Sequence, residues 1–273
     1  MDLRLKGRSG DRPFSFRGLS IVVIASLWYR RHGKSLTHPC SKIVSFMLKA
    51  ILYDLDGTLA DTDPVHFQTW RQILREHDLE IDLDFYQKNF SGRMNPDIVR
   101  DLLPSLTEAE GRVLSDRKEA LFREQAQQSL QPLAGLLDLI AWGNRHHLHQ
   151  VIVTNAPQLN AEFMIETLQF SQTFEFVVLG DDLPHGKPHP LPYQTALDQL
   201  DIDAKQAITF EDSPSGIRSS VAAGIETIGI TTTHSPEALQ NLGAAIAIED
   251  FTDERLMPIL QKRLKHTRIT PSD

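Results

Sequence analysis

Asp54 and Asp56 stand two positions apart in the stretch LYDLDGTLADTD, residues 52–63, directly after an apolar run. In an extended strand that spacing puts both side chains on one face. Gly57 lets the chain turn at once afterwards, so Asp56 need not point as Asp54 does. Two carboxylates with separate orientations suit a divided task, one attacking as a nucleophile and the other moving protons. Further polar groups follow along the chain: Thr154 and Asn155 after QVIV, Lys187 in HGKPHP, and Glu211 with Asp212 in QAITFED. If they converge, four carboxylates meet one hydroxyl, one amide and one ammonium. Bare carboxylates in such a cluster repel one another and rise in pKa. A hard divalent cation resolves the conflict, and oxygen-only ligands favour Mg²⁺, which is held by one or two carboxylates with water and substrate phosphate. Phosphoryl transfer fits this set, because Mg²⁺ and Lys187 offset the charge of a phosphate monoester while a carboxylate attacks in line.

The elements that must position these residues read as alternating strand and helix. The runs 49–55, 150–154, 174–180, 206–212 and 225–231 are short, apolar at most positions and rich in β-branched or aromatic residues. That is the pattern of parallel strands covered on both faces. Helical patterns separate the later runs, over 133–146, 157–170, 190–200 and 213–224, the last stopping on Gly224. The expected fold is therefore α/β, a doubly wound parallel sheet, in which ligands bind beyond the carboxyl ends of the strands. Most of the polar groups named above stand at such ends. One interval breaks the alternation: from about Val65 to Gln131 only amphipathic helical pieces occur, at 64–78, 95–103 and 107–128. The expected organisation is an α/β core over 47–64 and 132–273 with a helical cap, residues 65–131, inserted after the first strand.

Charge divides the chain unevenly. Residues 1–46 carry nine Lys/Arg against two Asp/Glu, so the remainder of a chain of net charge -8 holds about -15. A body that acidic is a poor binder of nucleic acid. The apolar run Gly18–Tyr29 is well short of the roughly 20 residues of a membrane span. Residues 1–46 are expected to be an extension outside the folded body, with Met47 the functional start; organellar targeting is the second reading. The single cysteine, Cys40, rules out an intramolecular disulfide or a multi-thiolate zinc site. His146 and His149 stand three apart in NRHHLHQ, but no further zinc ligands are evident. A cytoplasmic monomer without membrane or nucleic-acid partners is the expectation.

Taken in order, DLDGT, a strand ending in Thr154, GKP with Lys187, and FEDSPSGI resemble the four motifs of the haloacid dehalogenase superfamily, in its phosphatase and phosphomutase branch with a helical cap. The resemblance covers residues 47 to about 250 and implies a Rossmann-like core. It implies Asp54 as nucleophile through an aspartyl phosphate, and Asp56 as acid and base. Thr154 and Lys187, with Asn155 beside them, hold the phosphoryl group. Asp212 binds Mg²⁺ with Asp54 and the Asp56 carbonyl, and Glu211 is an additional metal-site carboxylate. The chain is most similar to the β-phosphoglucomutase-like group: DTDPVHFQTW places His66 and Trp70 as in that group, and Lys118 resembles a cap lysine that contacts sugar phosphate. Two departures matter. Asn95 stands where a mutase is expected to carry an arginine for its second phosphate, leaving Arg93 nearby, and TNA replaces a serine pattern after the second strand. An amide does not supply the bidentate fork of a guanidinium. A hydrolase acting on a small phosphorylated metabolite, such as a sugar phosphate, is thus expected first, and a sugar phosphomutase second. A noncatalytic binding protein comes last, because both aspartates and Lys187 are present.

Overall fold

The computed structural model describes residues 44–45, 47–90, 93–265 and 267–268. The expectation for residues 1–46 lies outside these, apart from Val44–Ser45 (β1), which pairs antiparallel with Thr267–Arg268 (β8). The sheet that matters is six-stranded: β2 (Ala50–Tyr53), β3 (His149–Thr154), β4 (Val177–Leu179), β5 (Ala207–Glu211), β6 (Glu226–Ile230) and β7 (Ile246–Ile248), ordered β4-β3-β2-β5-β6-β7. Every pairing within it is parallel. The α/β expectation therefore holds. β2 is the switch point: the chain winds outward through β3 and β4 on one side and through β5, β6 and β7 on the other, so the crevice opens at its carboxyl end.

Alternation along the strands divides the core into two layers. From β2, Ile51 and Tyr53 join Ile152, Ile208 and Phe210 under α5 (Leu136–Arg145), α6 (Gln158–Thr167) and α10 (Leu256–Leu264). Ala50 and Leu52 face the other way, with Val151, Val153 and Ala207, against Tyr193 and Ala196 of α7 (Leu191–Leu200). A smaller cluster joins Ile217 of α8 (Pro214–Ala222) to Leu239 of α9 (Pro236–Asn241) and Ala247 of β7. Burial on both faces is why these strands read as continuous apolar runs.

Between β2 and α5 the chain is helical: α1 (Asp63–Arg75), α2 (Leu83–Asn89), α3 (Asn95–Leu102) and α4 (Glu108–Ala126). These helices own a separate apolar cluster of Trp70, Ile73, Leu74, Tyr86, Phe90, Ile98, Val99 and Leu114. The 19-residue α4 starts with a reciprocal capping box, Thr107 with Glu110, and spans both clusters, because Phe122 and Ala126 at its far end belong to the main core.

The strand expected over 174–180 is only Val177–Leu179, since Thr173 folds back on Phe170 in a turn and Phe174 packs edge-on against Tyr53. The periodicity passed over α2, β7, α9 and α10. β7 has three residues and α9 six, too short for a period to register. No helix among the described residues is long and apolar enough to cross a membrane; the run Gly18–Tyr29 lies outside them.

Candidate active site

The carboxyl ends of β2, β3 and β5 bring the expected residues to one buried point. Asp54 follows β2, Asp212 follows β5, and Glu211 is the last residue of β5. All three are buried, and one oxygen of each lies within 4.8 Å of the others. Lys187 reaches them from the loop before α7. Its Nζ donates to Asp54 Oδ1 at 2.5 Å, to Glu211 Oε1 at 2.5 Å and to the Val153 carbonyl at 2.7 Å, using all three protons.

One ammonium among three carboxylates leaves an excess of negative charge in a place water barely reaches. Burial, with the charge of Glu211 next, pushes Asp54 up to about 8. Burial and the same acidic neighbours raise Asp212 well above the usual carboxylate range. Burial alone would lower Lys187, but Asp54 and Glu211 overrule it and hold the ammonium firmly charged. The donor set is oxygen-only, converging, and short of positive charge, which fits a hard divalent cation such as Mg²⁺. Gly57 makes the close approach possible. Its φ is +73°, and a Cβ there would meet Asp212 Oδ2 at 2.2 Å.

Thr154 ends β3, and its Oγ1 accepts from the Ala156 N–H at 2.9 Å. Asn155 stitches two loops together: its Nδ2 donates to the Lys187 carbonyl and its Oδ1 accepts from the Lys187 N–H, each at 3.0 Å. Gly180 and Gly186 leave the room for it, since a Cβ on either would stand 2.3 or 2.8 Å from Asn155 Oδ1.

Asp56 faces the helical segment, where His66 Nε2 lies 3.1 Å from its Oδ1. Lys118 Nζ lies 2.7 Å from His66 Nδ1 and 2.9 Å from Glu119 Oε1. A lysine ammonium only donates, so Nδ1 accepts and the remaining ring proton sits on Nε2, directed at Asp56. The ring stacks on Phe122 at 3.9 Å between centroids. Lys118 is 2 % exposed, and its Nζ stands 5.4 Å from the ring of Trp70, itself a member of the helical apolar cluster. Arg93 pairs with Asp101 at 2.5 Å near the rim.

Several neighbours were not singled out in the sequence. Glu119 accepts from Asn95 and, across to α6, from Asn160, each at 2.5 Å, while Arg123 donates to Asn160 at 2.6 Å. Tyr193 donates to Glu211 Oε1 at 2.5 Å from beneath the site. Thr232 and Thr233, just beyond β6, touch Gly57 and Asp212. The strand-end rule that found Asp54 and Asp212 also points to the TTTH stretch after β6. Among the described residues His146 and His149 belong to no cluster of metal-ligating side chains; His149 Nδ1 pairs with Glu175 at 2.8 Å. Asp54, Asp56, Thr154, Asn155, Lys187 and Asp212, with His66, Lys118 and Glu119 of the helical segment, line one cleft of about 670 Å³ between the sheet and that segment.

Residues 51–230 match the family model of haloacid dehalogenase-like hydrolases. The validoxylamine A 7'-phosphate phosphatase of Streptomyces hygroscopicus subsp. limoneus is 32% identical over 214 residues, 77% of this chain and 97% of that protein. The phosphorylated carbohydrates phosphatase of Thermotoga maritima is 26% identical over 229 residues, 80% of this chain and all of that one. Among solved structures, a β-phosphoglucomutase from Clostridium difficile superposes with a TM-score of 0.70 at 20% identity, covering 80% of this chain and 97% of that one, a likeness of fold. With the motifs on the ends of the strands where the fold places a ligand, the chain belongs to the haloacid dehalogenase-like hydrolases.

Proposed function

We propose that this hydrolase is a Mg²⁺-dependent phosphatase of a small phosphorylated metabolite, a sugar phosphate or a close analogue. The observation that carries the reading is the clamp of Lys187 between Asp54 and Glu211 with Asp212 beside them, a charge set built to be completed by a divalent cation and a phosphoryl group. The two named phosphatase relatives support the substrate class.

In this reading Asp54 attacks phosphorus and forms an aspartyl phosphate as the ester oxygen leaves. Asp56 gives that oxygen its proton, then takes one from the water that hydrolyses the intermediate. His66 orients Asp56 through its Nε2–H. Thr154 and Lys187 hold the phosphoryl oxygens, and Asn155 keeps their two loops in register. Asp54, Asp212, Glu211 and the Asp56 carbonyl would hold Mg²⁺, which when bound offsets the charge on the transferring group. Residues 65–131 act as a cap that excludes bulk water, with Trp70, Arg93 and Lys118 on its inner side. A cytoplasmic monomer completes the reading, and the acidic body suits the cytosol.

A phosphomutase would need a second phosphate in the cap. There the Asn95 amide and the Lys118 ammonium both donate to the Glu119 carboxylate, a surrounding that disfavours another anion. The test is an assay with Mg²⁺ and a panel of sugar phosphates. It includes β-glucose 1-phosphate with a trace of glucose 1,6-bisphosphate, follows both free phosphate and glucose 6-phosphate, and uses Asp54→Asn as blank. Free phosphate alone supports the hydrolase. Glucose 6-phosphate forming faster overturns it in favour of the mutase.

A further inference from the structure

The loop after β6 touches the acidic site twice. Thr232 Oγ1 donates to the Gly57 carbonyl at 2.6 Å, and Thr233 Oγ1 lies 2.8 Å from Asp212 Oδ2 and 3.0 Å from the Asp212 carbonyl. Thr233 is 7% exposed. Two consecutive hydroxyls thus hold the two halves of the site, the turn that carries Asp56 and the carboxylate that follows β5. These halves are 155 positions apart in sequence, counting from Gly57 to Asp212, and meet only through packing.

A third residue sets the direction of the bond. His234 Nδ1 stands 2.9 Å from Thr233 Oγ1. A hydroxyl has one proton, and both Asp212 oxygens within reach only accept when the carboxylate is ionised, so the Thr233 proton goes to Asp212. In that ionised state, the one in which Asp212 would ligate a cation, His234 Nδ1 is the donor to Thr233. The hydroxyl then accepts from the ring and donates to Asp212, whose Oδ2 is the nearer of the two acceptors at 2.8 Å against 3.0 Å for the backbone carbonyl.

We propose that Thr233, supported by His234 and with Thr232 on the adjoining turn, is a positioning residue for the Mg²⁺ site: it fixes Asp212 Oδ2 so that the other carboxylate oxygen is presented to the cation. The inference rests on the Mg²⁺ reading given above. A carboxylate that ligates a cation binds best when its other oxygen is hydrogen-bonded, because the ligand is oriented before the metal arrives. Thr233→Val keeps the shape and removes the donor; Thr233→Ser keeps the donor.

The experiment is a calorimetric titration of the purified full chain with Mg²⁺ alone, for wild type, Thr233→Val, Thr233→Ser and Thr232→Val, with thermal melts of the metal-free proteins alongside. Thr233→Val is expected to weaken Mg²⁺ binding by about tenfold to a hundredfold, the usual effect of losing an outer hydrogen bond at a metal ligand. Thr233→Ser should stay within about threefold of wild type, and Thr232→Val should fall between. Hydrolysis by Thr233→Val should recover at high Mg²⁺, so that half-saturation by Mg²⁺ moves and kcat does not. Should the valine variant fail to fold, His234→Ala against His234→Asn asks the same question from one bond further out, with the asparagine retaining a donor. Wild-type affinity in a folded Thr233→Val protein overturns the proposal, as does a wild type that takes up no Mg²⁺. A wild type that binds Mg²⁺ but releases no phosphate refutes the phosphatase reading instead, and the affinities still decide the role of Thr233.

Discussion

Lys187 Nζ and Glu211 Oε1 lie 2.5 Å apart, with their side chains 2% and 0% exposed. The pair is closed from below by the Tyr193 hydroxyl. Glu211 therefore holds the lysine and, in the Mg²⁺ reading proposed above, also contributes charge toward the cation. Glu211→Gln keeps the volume and removes the charge, and is expected to lower kcat/KM by about a hundredfold. Lys187→Met should cost about a thousandfold, on the scale seen when a charge-stabilising donor is removed. Initial rates at saturating Mg²⁺ check both. A methionine variant with near wild-type turnover would remove Lys187 from the chemistry.

The raised carboxyls make stability and metal binding depend on pH in opposite ways. An unfolded aspartate titrates near ~3.9, whereas Asp54 in the metal-free fold is held up to about 8 and Asp212 is also raised. As pH climbs between these limits the unfolded chain gives up protons that the fold retains, so these two groups make the metal-free protein less stable. Mg²⁺ held by the same carboxylates would displace these protons, so its binding is expected to strengthen with pH. Melts with and without excess Mg²⁺ should show a larger gain at about pH 8 than at about pH 5.5. Equal gains at the two values would contradict this account.

His66 is expected to matter in proportion to how much the leaving oxygen needs a proton. Its Nε2–H orients Asp56 at 3.1 Å and its Nδ1 is tied to Lys118. His66→Ala should slow the hydrolysis of alkyl phosphates such as sugar phosphates by about tenfold or more, within the range of general acid catalysis. With p-nitrophenyl phosphate, whose phenolate leaves unaided, the loss should be no more than about twofold. A uniform loss across both substrates would mean that the histidine supports packing on Phe122 alone.

Glu119 ties the helical segment to α6. Burial works to raise its pKa, but the Lys118 ammonium and the hydrogen bonds from Lys118 and the Asn95 amide outweigh it and hold the carboxyl well below the usual carboxylate range. A depressed carboxyl contributes stability above its unfolded value, near ~4.3, and loses it as pH falls toward the folded one. Glu119→Ala leaves Lys118 buried without its partner and should lower stability by about 3 kcal/mol at neutral pH. Urea titrations at about pH 7 and about pH 3 test the sign: the gap between wild type and variant should narrow in acid.

How far the sequence carries the reader depends on how local the signal is. Asp54, Asp56, Thr154 and Asp212 are legible because each stands at the end of an apolar strand run, where the rule of strand ends sorts them from other polar residues, and Lys187 is legible from the HGKPHP stretch in the loop that follows the third expected strand. Glu119 and Asn160 were not, since an acid on an amphipathic helix looks solvated until the helix is docked; Lys118 was open to the same reading and is 2% exposed. Tyr193 hides for a related reason, being a helical aromatic whose hydroxyl is spent on Glu211 beneath the site. Thr233 was within reach, but a threonine beyond a strand is a common thing and its partner is distant in sequence. A strand of three residues such as β7 falls below what a period of two can register.

The amide of Asn155 has an evolutionary side. Both its ends are engaged by the backbone of Lys187, and it fills space that Gly180 and Gly186 leave open at 2.3 and 2.8 Å from an added Cβ. Neither glycine can gain a side chain while asparagine remains, and asparagine cannot be exchanged for a larger residue while the turn keeps its course. Among diverging descendants of this chain the three positions should therefore change together or not at all. A lineage that lost the asparagine would find its lysine loop free to drift, and would have to secure Lys187 by another route before it could keep its turnover.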